Sequence, residues 1–147
     1  MKPIRAVLEG LPPTTNHLYR NLPHGGRALS SAGKAYKTET LKALRLFYSR
    51  GLTLPLPAQY LRVEIWLYGN WHTKKGDVRK TDADGRLKAL LDCLSEWLGV
   101  DDRHFFTITA HKVQSDTEET EITVTPYADT VEGILHARSD RYAGRKP

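Results

Sequence analysis

The sequence predicts an α+β fold, a small mixed β-sheet with two main helices packed on it in the order β-α-β-α-β-β. Three observations predict it. From Leu61 to Tyr68 apolar and polar residues alternate without a break, the period of a strand with one buried face. From Gly85 to Leu98 the apolar residues recur instead at helical spacing. The remaining apolar runs are short and bounded by Gly, Pro and Ser.

Ile4 to Leu8 reads as the first strand, ended by Gly10 and Pro12-Pro13. Asn16 to Leu29 reads as a long polar loop carrying Tyr19, Arg20, His24, Gly25-Gly26 and Arg27. Too little of it is apolar for a core segment, and loops of this length are often functional. Ser30 or Ser31 caps a helix running to about Ser49, with Ala32, Tyr36, Leu41, Leu44, Phe47 and Tyr48 apolar and Gly51 as its stop. Pro55 and Pro57 mark a stiff connection into the Leu61–Tyr68 strand, and a basic loop follows it. The central helix comes next, with Thr81 or Asp84 as its cap. Leu87, Leu90, Leu91, Leu94, Trp97 and Leu98 form its apolar stripe, Cys93 lies off the stripe, and Gly99 is the left-handed stop. Phe105 to Val113 and Glu121 to Thr125 are the last strands, with Ser115 to Thr120 as a hairpin turn. Residues 1–125 form one domain on this reading. Residues 126–147 lack periodicity and are expected to be a mobile or partner-contacting tail.

A chain of 147 residues suits a single domain, and one of this size buries roughly 68–70% of its unfolded surface. No window approaches the ~20 apolar residues of a membrane span, and the first residues hold no apolar signal core. With a single cysteine, Cys93, no internal disulfide forms, so a reducing, cytoplasmic setting is expected. The net charge of +5 is unevenly spread. Arg20, Arg27, Lys34 and Lys37 fall in a stretch without acids, and Lys74, Lys75, Arg79 and Lys80 flank Asp77 alone. Solvated loops are often basic without consequence. Beside a carboxylate metal site, the same charge becomes a phosphate-backbone footprint.

Such a carboxylate set exists on paper. Asp82 and Asp84 precede the central helix, Lys88 lies one turn inside it, and Asp101-Asp102 follow its end. At about 100° per residue Asp84, Lys88 and Asp92 line one flank, with Lys88 facing the first pair. Concentrated carboxylates repel unless a cation sits between them, and hard oxygen ligands select Mg²⁺. The competing reading makes Asp82 and Asp84 dipole partners and caps, Asp101-Asp102 a turn, and Lys88 a member of an i, i+4 ladder. An EF-hand fails, because Lys80 and Leu91 would occupy its first and twelfth positions. No HExxH, Walker A or GxGxxG occurs, so no nucleotide cofactor is expected, and no two histidines share a helix at ligand spacing. His104, beside Asp102, is a second-rank candidate. Trp66 and Tyr68 either stack on bases or pack on the sheet. A metal site with a lysine beside a basic surface suits phosphodiester hydrolysis. A non-catalytic DNA-binding protein, or a phosphoryl-transfer enzyme acting on flaps or nucleotides, remains an alternative.

The ordered combination Asp82-x-Asp84-x-x-x-Lys88, Asp92, and Asp101-Asp102 before a strand resembles the RusA-type Holliday junction resolvases. Leu11-Pro12-Pro13-Thr14-Thr15-Asn16-x-x-Tyr19 and Ser30-Ser31-Ala32-Gly33-Lys34-Ala35-Tyr36 also resemble that family's N-terminal signature. The resemblance spans roughly Gly10 to Val124. By position it implies Asp82, Asp84 and Asp102 as metal residues, with Asp101 the other member of its pair, and Lys88 as the catalytic lysine. It further implies a Mg²⁺-dependent homodimer, with Mn²⁺ a substitute, that nicks opposing strands of four-way junction DNA. Arg20, Arg27, Lys74, Lys75, Arg79 and Lys80 are the expected backbone contacts. The chain departs from the family at Gly85, where asparagine is usual.

Helix length adds an expectation. From Gly85 to Leu98 the helix would be ~21 Å long. Four extended residues return at most ~14 Å, so Asp102 should lie far from Asp82 and Asp84 within one subunit. A twofold dimer with antiparallel central helices would join them across its interface.

Overall fold

The computed structural model describes residues 3–47 and 60–127. Six strands and three α-helices run in the order β1 (Ile4–Glu9), α1 (Thr15–Leu18), β2 (Tyr19–Asn21), β3 (Arg27–Leu29), α2 (Ser31–Phe47), β4 (Leu61–Gly69), α3 (Leu87–Leu98), β5 (Phe105–Gln114) and β6 (Glu119–Pro126). Four strands make a mixed sheet in the order β1-β6-β4-β5, and β2 with β3 makes a separate hairpin. The expected α+β architecture stands, with the hairpin inserted after the first strand.

Alternation decides which face of the sheet is covered. Ile4, Ala6 and Leu8 on β1, Leu61, Val63, Ile65 and Leu67 on β4, and Ile122 and Val124 on β6 are all buried. They form one cluster with Leu41 and Leu44 of α2 and Leu90, Cys93, Leu94 and Leu98 of α3. Removing a side chain such as Leu90 from such a core costs about 2–5 kcal/mol. Cys93 is therefore core, against the expectation that it lay off the stripe. At 1% exposed, it has its thiol pKa pushed up to about 11 by burial. The opposite face keeps its polar pattern. Trp66 stacks on His111 at 5.4 Å, and the Tyr68 hydroxyl donates to Glu121 at 3.1 Å, so both aromatics serve cross-strand packing.

Two expected loops are ordered differently. Asn16–Leu29 is not one loop but α1 followed by the β2–β3 hairpin, closed by the Leu22 N–H to Gly26 O bond of 3.0 Å, with Gly25 and Gly26 at positive φ. Ser115–Thr120 is not a hairpin turn, because β4 lies between β5 and β6. The connection passes the end of β4 instead, with the Ser115 N–H bonded to Gly69 O and the Gly10 N–H to Glu118 O. β4 and β5 are parallel, so α3 is the crossover between them. The expected end of α2 beyond Phe47, with Gly51, Pro55 and Pro57, lies outside the described residues, as does the tail from 128.

Ser30 settles the choice of cap for α2. Its hydroxyl accepts from the Gly33 N–H at 3.0 Å and donates to His17 O at 2.6 Å, while its N–H reaches Leu18 O at 2.7 Å. Gly33 then permits α1 to lie on α2: a Cβ built there would meet the Leu18 carbonyl oxygen at 2.5 Å. Gly33→Ala gains about 1 kcal/mol of helix propensity but forces this backbone contact apart, and overpacking of this kind costs about 1–3 kcal/mol. The expected outcome is a lower urea midpoint with unchanged m-value; a higher midpoint would show that α1 yields freely.

Candidate metal and nucleic-acid site

The approach to α3 is wound tighter than an α-helix. Asp84–Arg86 is a 3-10 turn, and Ala83 in front of it is already helical at φ −65, ψ −43. The capping position thus carries alanine, and no side chain caps either this turn or α3. Neither Thr81 nor Asp84 is the expected cap. At the far end the prediction stands: Gly99 is left-handed at φ 64, and its N–H bonds back to Ser95 O and Glu96 O.

What holds the turn is tertiary. The Thr15 hydroxyl donates to Gly85 O at 3.0 Å, and Arg86 Nη1 donates to Pro12 O at 2.7 Å. From edge strand β5, Lys112 Nζ donates to Thr81 O at 2.8 Å. Both cations lie against the Trp71 ring, Lys112 Nζ at 4.9 Å and Arg86 Cζ at 5.9 Å from its centre. Trp71 is 5% exposed, and its Nε1–H is shared between Leu67 O and Val113 O. The segment bearing Asp82 and Asp84 is therefore clamped at both ends, by Lys112 before it and by Thr15 and Arg86 after it. Sequence reasoning gave no role to Trp71, Arg86 or Lys112, and it placed Thr15 in the Leu11–Tyr19 signature without assigning it a contact. The signal of the first three was positional only, since each sits beside a motif without belonging to a recognisable pattern. At Gly85, an added Cβ would meet nothing within 4 Å, so the position where asparagine was expected is sterically open.

Asp82 and Asp84 are exposed, and among the described residues neither side chain has an ion-pair or hydrogen-bond partner. Lys88 does not face them. Its ammonium lies 3.4 Å from Asp92 Oδ1, turned toward the other end of α3. The expected Asp84–Lys88–Asp92 ladder is thus only its second half, because the 3-10 turn breaks the four-residue spacing ahead of Lys88. The Asp92 carboxylate holds Lys88 above the usual lysine pKa, with Tyr19 and Asp102 adding smaller contributions. Asp101 caps a second 3-10 turn, Asp102–His104, by accepting from the Arg103 N–H at 3.0 Å. That bond is the main cause holding the exposed Asp101 carboxyl below its usual range. Asp102 is exposed beside it, and His104 is half-buried in the turn.

The donor chemistry suits Mg²⁺, which takes one or two protein carboxylates and completes its shell with water and phosphate oxygens. Asp82 and Asp84 meet that minimum. Among the described residues, however, no three Asp, Glu, His or Cys side chains converge to hold a metal ion. One protomer does not bring Asp102 or Asp101 together with the first pair.

The basic loop is an ordered excursion. His72 bridges Val78, the Thr73 N–H bonds to Asp77 O at 2.7 Å, and the Gly76 N–H bonds to Thr73 O at 2.9 Å, so Lys74 and Lys75 are held at an exposed tip. Arg79 spends its Nε–H on His72 O at 3.0 Å, while Lys80 is exposed. Arg20 and Arg27 are exposed on the β2–β3 hairpin. No helix among the described residues is long and apolar enough to cross a membrane.

A family model described as Endodeoxyribonuclease RusA matches residues 9–125. No match was found among curated proteins. The match takes in Asp82 through Asp102 together with Thr15, Arg86 and Lys112, which hold the Asp82–Asp84 turn.

Lys112→Met is expected to raise amide exchange across Thr81–Asp84 several-fold while changing global stability by about 1 kcal/mol or less, the scale of one exposed charged bond. Exchange mass spectrometry of peptides spanning 78–86 reads this directly, and unchanged exchange there would show that the clamp is not needed.

Proposed function

The chain belongs to the RusA endodeoxyribonuclease family, and on that premise we propose that it is a Mg²⁺-dependent, homodimeric endonuclease resolving four-way DNA junctions by paired, symmetric nicks. One observation carries the reading: the exposed, uncompensated carboxylates of Asp82 and Asp84 stand on an anchored turn near an ordered basic excursion. Two such carboxylates left without a cationic partner suit a site made to take one.

In this reading Asp82, Asp84 and Asp102 hold Mg²⁺, or Mn²⁺ in its place. A divalent ion held by these residues would supply water activation and offset charge on the phosphate oxygens. Lys88 acts as a fixed cation. Its raised pKa keeps it protonated at working pH, so it stabilises negative charge on the phosphate and does not take a proton. Asp92 orients it, and Asp101 shapes the turn that presents Asp102. Arg20, Arg27, Lys74, Lys75, Arg79 and Lys80 contact backbone phosphates, which makes affinity steeply salt-dependent.

The twelve residues of α3 separate the two acidic groups by about 17 Å of helix axis. A twofold dimer would unite Asp102 of one protomer with Asp82 and Asp84 of its partner, giving two composite sites for the two cuts.

Incubated with a labelled immobile four-way junction, the protein is expected to cut two opposed strands only when Mg²⁺ is present. Asp82→Asn should cut at least about a hundredfold more slowly yet bind the junction as well, because removing an acid cannot weaken attraction to phosphate. Undiminished cutting by Asp82→Asn would sink the metal reading. Equal cutting of flaps or linear duplex would sink the junction reading.

Mixing Asp82→Asn with Asp102→Asn protein tests the sharing. Verified heterodimers with composite sites keep one intact site and should nick one strand. Heterodimers without nicking would place each site within a single protomer.

A further inference from the structure

Between α1 and the β2–β3 hairpin lies a polar recess of about 180 Å³, lined by Thr15, Asn16, Tyr19, Asn21 and Arg27. Each of these side chains carries an N–H or O–H group, none is acidic, and Arg27 is always cationic. The Thr15 hydrogen is spent on Gly85 O at 3.0 Å. Among the described residues, the side chains of Asn16, Asn21 and Arg27 have no hydrogen-bond partner. Of these groups the proposed function uses only Arg27, as a general backbone contact, yet Thr15, Asn16 and Tyr19 form the end of the Leu11–Tyr19 stretch singled out in the sequence.

We infer that this recess binds a backbone phosphate of the DNA strand being cut, beside the scissile one. A lining of donors with one guanidinium and no carboxylate suits an oxyanion. Its attachment sets the place. Thr15 ties the recess to the 3-10 turn that begins at Asp84, and Tyr19 lines a neighbouring recess with Asp92, the carboxylate that meets Lys88. A phosphate held here is thereby registered against the acids and the lysine together. Recess and hairpin share a common base, since Ser30 and Gly33 fix α1 on α2. Phosphate contacts of this kind set register and carry no base information.

The inference rests on the endonuclease reading, and its test separates the two. Binding of the full-length protein is measured without divalent metal, on four-way junctions carrying one neutral methylphosphonate at each position within four nucleotides of the crossover. For the wild type, one position on each cut strand should weaken binding about tenfold. In Arg27→Gln and in Asn16→Ala the effect at that position should disappear, whereas Lys74→Gln should retain it. Arg27→Gln should also lower the slope of log affinity against log salt by about one phosphate contact. Arg27 and Asn16 are exposed, so unchanged melting temperatures are expected and are checked first. Identical scans for wild type, Arg27→Gln and Asn16→Ala would overturn the recess. A wild type that binds but never cuts with Mg²⁺ added would overturn the endonuclease reading and leave the scan to judge the recess alone. No junction binding at all would overturn both.

Discussion

Two carboxylates a single residue apart repel each other, and this chain relieves Asp82 and Asp84 neither by capping a helix nor by pairing with Lys88. Their turn is held by its carbonyls instead. Thr15 bonds Gly85 O, Lys112 bonds Thr81 O, and Arg86, lying over a buried indole, reaches back to Pro12 O. Anchoring through the backbone leaves both carboxylates exposed and unspent. The anchors fix the backbone that carries the two acids and leave their side chains to solvent.

The same economy explains α3. Its inner face is welded to the sheet through Leu90, Cys93, Leu94 and Leu98, and it crosses between the parallel strands β4 and β5. A crossover helix must travel back along the sheet. Groups at its two ends therefore belong to opposite ends of the layer, whatever their closeness in sequence. Asp82 and Asp84 precede this element and Asp101-Asp102 follow it, and it is this placement that the proposal of a shared site starts from. Asp101, whose oxygen caps the following turn, shapes the chain there, leaving Asp102 as the exposed neighbour.

Much of this was legible from periodicity. Leu61–Tyr68 and the Leu87–Leu98 stripe each bury one face, and local pattern suffices to say so. The basic residues were legible as charge, though Arg79 proved to be engaged by His72 O. Elsewhere local pattern misled. The hairpin within Asn16–Leu29 has strands of three residues each, too short for alternation to register. Ser115–Thr120 has the composition of a hairpin turn, yet composition cannot reveal that β4 sits between the strands it joins. Cys93 looked peripheral because the stripe was drawn against one neighbour, whereas α3 packs on both the sheet and α2.

By itself, then, the sequence determined the elements that a two- or 3.6-residue period writes along the chain, together with the identity and order of the acids, the lysine and the bases. Those are properties of neighbours within a few residues. Only the tertiary structure decided what holds the acid-bearing turn, which carboxylate Lys88 meets, and that the Leu11–Tyr19 stretch forms a donor-lined recess. The first and the last depend on contacts between distant segments, such as Thr15 with Gly85 seventy residues on, whereas Lys88 meets Asp92 only four residues away, a pairing that helical spacing already offered. The distant pairings are selected by packing of the whole sheet and helices, and no local period encodes them.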